Sequence, residues 1–326
     1  MRKVLLAHLS CPECEEGDDL TLQITTEEGE WVVEGTLSCD SCQRQYPIRD
    51  GIVNFLENLE GHTEKVSEIF SKDFVQKYKS RWDKSAAKLT ELKIKQLLAQ
   101  ASSGAKGSLF VDVGAGFCKY SQVLLNAGVQ PVAVDLSEDM LRASTEILSP
   151  EEAHQIDRIV ADSSKLPFKT DSFDGFVCIN VFQYLERPRE SLQESRRVCS
   201  AGADFIIHMI NLQDLRLKYM VFKALISLKG LLAHKQMMDG YQNIMSLGAM
   251  RKYFSEEGLD TSEQWPVNIF LPLEDTLFNK ISSRNPVGSV YISFKKAIDS
   301  ILVNAPIFRS MYNAYICKGK YKSTNR

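Results

Sequence analysis

Four cysteines near the N-terminus carry the most specific spacing in the chain. Cys11-Pro-Glu-Cys14 and Cys39-Asp-Ser-Cys42 are two Cys-x-x-Cys knuckles separated by twenty-four residues. Each knuckle presents two sulfurs to one metal, and Zn2+ prefers four thiolates in a tetrahedron. A redox dithiol normally stands alone beside a βαβ unit, so paired knuckles point to metal rather than disulfide chemistry. Four cysteine ligands leave no open position, which makes the expected zinc structural. It would supply most of the folding free energy of so small a module.

A second set of residues has a different character. Phe110-Val111-Asp112-Val113-Gly114-Ala115-Gly116 is an apolar run ending in a glycine-rich turn. Glycines there let the backbone approach a ligand, and the helix that follows offers N–H groups at its N-terminus. Acids recur at the ends of the next two apolar runs, in Val132-Ala133-Val134-Asp135-Leu136 and in Ile159-Val160-Ala161-Asp162-Ser163. A dinucleotide fingerprint would place a third glycine at 119, where this chain has Lys119, and would leave the acids at 112 and 162 unexplained.

These residues need a scaffold that brings strand ends together. From Leu109 onward, strand-like runs (109–113, 132–134, 159–160, 175–179, 205–210) alternate with helical stretches at 120–126, 140–148 and 189–199. That alternation predicts an α/β fold, a doubly wound, mostly parallel sheet with helices on both faces. In front of it, Leu20, Leu22 and Ile24 alternate against Trp31–Val33 as a β hairpin, and residues 4–9 read as a first strand. The expected division is a β zinc ribbon at 1–58 and a helical connector at 59–104, helical through 61–102. A main domain then spans 105–326, with helical insertions at about 212–246 and 274–308, a helix at 247–257 and a last strand near 312–318.

Taken in order, the strand-end acids and glycines resemble the class I S-adenosylmethionine-dependent methyltransferases, nearest the quinone-biosynthesis subgroup, over roughly residues 107–211. The resemblance implies S-adenosylmethionine contacts at Asp112, Gly114, Ala115, Gly116, Asp135, Leu136, Asp162, Ser163 and Asn180. Asp112 would pair with the amino group of the methionine portion. Asp135 would accept the ribose hydroxyls, Leu136 would lie on the adenine, and Asp162 would face its amino group. The family's third glycine is replaced by Cys118. The knuckles, together with Tyr46-Pro47-Ile48-Arg49-Asp50-Gly51-Ile52, resemble the small zinc-ribbon family whose members activate tRNA, rRNA and protein methyltransferases.

Methyl transfer from a sulfonium needs positioning and exclusion of water, and a base only where the acceptor has a proton to lose. Tyr184 and His208 are the nearby candidates for a base, although His208, inside Ile206-Ile207-His208-Met209-Ile210, equally suits a core position. The strand-four tip lacks Asn-Pro-Pro-Tyr, which counts against methylation of an adenine or glutamine amino group. The expected acceptor is a small, lipophilic molecule.

Charge is uneven along the chain. Residues 1–209 carry a net −10 and residues 210–326 a net +7. Residues 215–235 combine an apolar stripe with Lys and Arg, as in a helix resting on a membrane surface or on an amphiphilic substrate. No apolar stretch reaches eighteen residues, so no spanning helix is expected, and the scattered remaining cysteines suit a reducing, cytoplasmic setting. An RNA methyltransferase is less favoured, because the ribbon is acidic at Glu13, Glu15, Glu16, Asp18 and Asp19. A non-catalytic scaffold built on the same fold is the alternative of another class.

Overall fold

Two tight turns shape the N-terminal module. The computed structural model describes residues 1–14, 19–56, 85–211, 243–267, 285–302, 312 and 314–322. Strands β1 (Leu20–Glu28) and β2 (Trp31–Cys39) form the expected hairpin, closed by Gly29 at φ 61°. β3 (Gln45–Arg49) and β4 (Ile52–Asn54) are joined by Asp50 and Gly51, both at positive φ (50° and 73°), as a two-residue hairpin turn requires. A Cβ at Gly51 would lie 2.4 Å from Trp31 Nε1, so both space and backbone demand glycine.

Residues 3–8 differ from the expected first strand. Lys3–His8 is a 3₁₀ turn that buries Leu5 and leaves Val4 exposed, with Leu9 buried just beyond it. Its flanks form single bridges, Arg2 to Trp31 of β2 and Leu9 to Phe168. The Met1 α-amino group donates to Val32 O (3.0 Å) and Gly51 O (2.7 Å), which turns the chain inward before a strand can begin.

The ribbon and the main domain share one sheet. Its order is β1-β2-β3-β4-β7-β6-β5-β8-β9-β11-β10, where β5 is Leu109–Val113, β6 Gln130–Asp135, β7 Asp157–Val160, β8 Phe173–Cys178, β9 Cys199–Ile210, β10 Leu259–Pro266 and β11 Ala314–Tyr321. From β4 to β9 all neighbours are parallel; the ribbon hairpins and the β9-β11-β10 edge are antiparallel. The seam is β4 on β7, with Ile52 beside Arg158 and Val53 beside Ile159. Arg2 clamps it, its guanidinium 2.7 Å from the fully buried Asp157 and its backbone N–H donating to the same carboxylate. One apolar cluster accordingly runs from Leu37, Tyr46 and Val53 in the ribbon to Val111, Val134 and Ile159 in the main sheet.

Helices cover both faces. They are α1 (Ser85–Ser102), α2 (Lys119–Asn126), α3 (Glu138–Arg142), α4 (Pro150–Ala153), α5 (Pro188–Val198), α6 (Leu247–Glu256) and α7 (Pro286–Leu302). The helix expected over 140–148 is broken. α3 ends at Arg142 and passes into a 3₁₀ turn, because Ser149 and Glu152 form a capping box that starts α4 afresh. α6 lies where a helix was expected, and the last strand runs to Tyr321 rather than Lys318. Of the two insertions, residues 243–246 and α7 are described; the basic stripe at 215–235 and the connector at 59–84 lie outside the described residues.

Candidate functional site

The four cysteine sulfurs converge as the spacing predicts. All lie within 4.8 Å of one another, with Cys11 Sγ–Cys42 Sγ and Cys14 Sγ–Cys39 Sγ both 3.7 Å. A tetrahedron with Zn–S bonds of about 2.3 Å has edges of about 3.8 Å, so this donor set fits zinc. Tyr46 Oη lies 3.1 Å from Cys11 Sγ, placed to donate a hydrogen bond that would hold the thiolate from outside the ligand shell. The knuckle spacing gave no sign of that contact. Among the described residues no other cluster has metal-ligand geometry.

The second site is a cleft of about 370 Å³ at the carboxyl ends of β5, β6 and β8. Gly114, Ala115, Gly116, Asp135, Leu136, Asp162, Ser163 and Asn180 all line it. Gly114 (φ 72°) has no alternative, since a Cβ there would come within 2.1 Å of Val181 across the cleft floor.

The loop's amides turn toward the sheet. Gly114 N and Ala115 N both donate to Val134 O (2.7 and 3.0 Å), and Gly116 N donates to Asp135 Oδ2 (2.8 Å). A diphosphate cradle needs such amides directed at the ligand. Here they are engaged, which disfavours a dinucleotide and suits a ligand recognised through carboxylates. Asp135 Oδ1 also accepts from Ser137 N (2.8 Å), yet each oxygen retains acceptor capacity. Burial raises its carboxyl above the usual carboxylate range.

Asp112 stands apart from the other expected contacts. It does not line the cleft; it lies fully buried beneath it, accepting from Ser121 Oγ at 2.6 Å. Burial, assisted by the charge of Asp135, raises it to about 7. Asp162 lines the cleft but is already engaged: Ser164 N and Oγ donate to Oδ1 (both 2.8 Å), and Arg187 reaches Oδ2 at 3.1 Å. Ser163 Oγ meets Ser191 Oγ at 2.7 Å, and Asn180, at φ 63°, donates to Tyr120 Oη at 3.1 Å.

Cys118 caps α2 in the left-handed region (φ 55°), the conformation for which a glycine is the usual choice. Sequence reasoning missed Lys119 as a lining residue. Its ammonium meets Glu91 of α1 at 3.1 Å, and no motif links residues so far apart in the chain. Met140, Gln183 and Arg187 also line the cleft.

The two candidate bases differ. Tyr184 lines the cleft. His208 does not; it is buried on β9 between β8 and β11, with neither ring nitrogen hydrogen-bonded, and burial lowers it to about 4.

Residues 111–207 match the methyltransferase domain family and residues 2–51 the Trm112p-like protein family. The chain thus carries a region similar to the methyltransferase domain family behind a region similar to the Trm112p-like proteins. Demethylmenaquinone methyltransferase from Clavibacter sepedonicus is 32% identical over 101 residues, which cover 31% of this chain and 40% of that protein. The enzyme of the same name from Renibacterium salmoninarum is 28% identical over 113 residues, 35% of this chain and 46% of that one. The chain thus spans less than half the length of these curated relatives. Among solved structures, magnesium protoporphyrin IX methyltransferase from Synechocystis PCC 6803 superposes with a TM-score of 0.52 at 12% identity, covering 80% of this chain and 99% of that one, a likeness of fold.

Proposed function

We propose that the protein transfers a methyl group from S-adenosylmethionine to a small, lipophilic acceptor of the quinol type. The observation that carries this reading is the cleft wall. Three successive loop amides are tied to β6, while Asp135 and Asp162 line the cavity. In this reading Asp135 holds the ribose hydroxyls, Leu136 and Met140 flank the adenine, and Asp162 and Ser163 meet its amino group. Asp112 acts from below the loop, as a buried carboxylate that a cationic amino group above it would favour in ionised form. When bound, S-adenosylmethionine supplies an electrophilic methyl on a sulfonium.

The chain's own work is then orientation and exclusion of water by Asn180, Val181 and Tyr184 at the β8 tip. In this reading Tyr184, which lines the cleft, would take the proton that an acceptor hydroxyl loses. The quinol class is supported by the demethylmenaquinone methyltransferases that match part of this chain. No helix among the described residues is long and apolar enough to cross a membrane. We read the protein as cytoplasmic, reaching its acceptor by peripheral contact to which residues 215–235 contribute. Incubation with methyl-labelled S-adenosylmethionine and a short-chain demethylmenaquinol should give label in the organic phase. Label that instead follows added RNA would replace this reading with RNA methylation.

A further inference from the structure

Among the described residues six large apolar side chains are exposed, and four of them lie on two helices that touch, α1 and α7. On α7, Val287, Val290 and Phe294 recur at the spacing of one helix face and are 57%, 70% and 57% exposed, while Tyr291 and Lys295 are buried toward the protein. On α1, Leu92 is exposed on the face that also carries Lys88 and Lys95, while Leu89, Ile94 and Leu98 are buried. Scattered exposed apolar residues need no explanation, but a helical stripe does.

Charge indicates what covers the stripe. Apart from the buried Lys295, the two helices carry Lys88, Lys93, Lys95 and Lys296; Lys88 and Lys95 share one acid, Glu91, with Lys119, which leaves the face a net positive charge. An apolar stripe on a face with an excess of lysine complements an anionic lipid surface, where apolar insertion and attraction of the ammonium groups add together. A second copy of the same face would set these lysines against each other. The face also adjoins the cleft, because Glu91 of α1 holds Lys119, which lines it.

We propose that the α1–α7 face docks on an anionic lipid bilayer, with Val287, Val290 and Phe294 inserted between headgroups. Delivery of a lipophilic acceptor to the cleft would follow from this placement and rests on the methyl-transfer reading; the docking does not. The test is flotation of the full chain with phosphatidylcholine vesicles, with or without about a third phosphatidylglycerol, at low and high salt.

The wild type should float with the anionic vesicles, much less with the neutral ones, and be released by salt. The double variant V290D/F294D should reduce bound protein by about tenfold or more. K93E/K296E should weaken binding to anionic vesicles and flatten its salt dependence. Each variant is first checked for an unchanged melting temperature and S-adenosylhomocysteine affinity, so a failed fold or a failed cofactor site is seen separately. Wild type that stays at the bottom of the gradient, or a V290D/F294D variant that floats like wild type, overturns the proposal. So does light scattering that shows a dimer dissociated by V290D/F294D, which would assign the stripe to a second copy.

Discussion

The ribbon and the cofactor cleft sit on one sheet but are completed in different ways. In the ribbon, four sulfurs face one another at tetrahedral distances and the ligand shell has no vacancy for chemistry. In the cleft, the glycine loop is latched to β6, and Asp135 and Asp162 line a cavity. The first arrangement makes a fold; the second lines a cavity with acids and a glycine turn. Between them, β4 binds to β7, and two side-chain contacts reach from the ribbon to the helix behind Leu136. Asn54 donates to Glu138 (2.9 Å), and Asp50 is paired with Arg142. Metal binding and cofactor binding should therefore be separable in kind but coupled in energy.

The largest effect tests the ribbon. Chelation, or Cys39→Ser, should remove about one zinc per chain. A structural zinc contributes roughly 10 kcal/mol or more of apparent folding energy, so the β1–β4 region should lose protection in hydrogen exchange. Loss of protection confined to residues 1–49, with β4 and β7 unaffected, would break the picture of a shared sheet. Next is the seam. Arg2→Ala leaves Asp157 buried without its cation and should cost about 3–5 kcal/mol in urea unfolding.

The cleft comes third. Asp135→Ala should weaken S-adenosylhomocysteine binding by about 1–3 kcal/mol, with zinc content unchanged.

The pH dependence separates two buried groups. Asp112 lies near 7 in the folded protein against an ordinary 3.8, so the native state holds its extra proton and stability declines as pH rises through that window. His208 has the opposite sign. Its native value near 4 lies below the ordinary 6.5, so its contribution grows as pH rises from about 4 to about 6.5. Relative to wild type, Asp112→Asn should favour stability at about pH 7.5 over pH 5, and His208→Leu the reverse, as read by urea midpoints. Parallel curves for wild type and both variants would show these groups do not titrate as described. The smallest expected effect is the coupling itself: Asn54→Ala should lower S-adenosylhomocysteine affinity by about 1 kcal/mol or less through Glu138 and α3.

What the sequence made legible was local. Knuckle spacing and the strand-end acids each depend on a few neighbouring residues: the four sulfurs converge, and Asp135 and Asp162 lie along the cleft. What escaped depends on distant partners. Residues 4–9 are an apolar run that suits a strand, but Lys3–His8 forms a 3₁₀ turn while Met1 is held by Val32 and Gly51. Asp112 has the right type and spacing for a cleft residue, yet burial beneath the loop is set by how α2 closes over β5 through Ser121. The Glu91–Lys119 pair and the Tyr46–Cys11 contact join elements that no motif connects. The parallel β4–β7 pairing that merges the ribbon into the main sheet leaves no periodic signal.

The central claim is that the cleft is built for a sulfonium nucleoside rather than a dinucleotide. Isothermal titration of the zinc-loaded chain with S-adenosylhomocysteine, alongside NAD, tests it directly. Expected is one saturable site for S-adenosylhomocysteine, weakened in Asp135→Ala, and no binding of NAD. Saturable NAD binding, or no heat from either S-adenosylhomocysteine or S-adenosylmethionine, would contradict it.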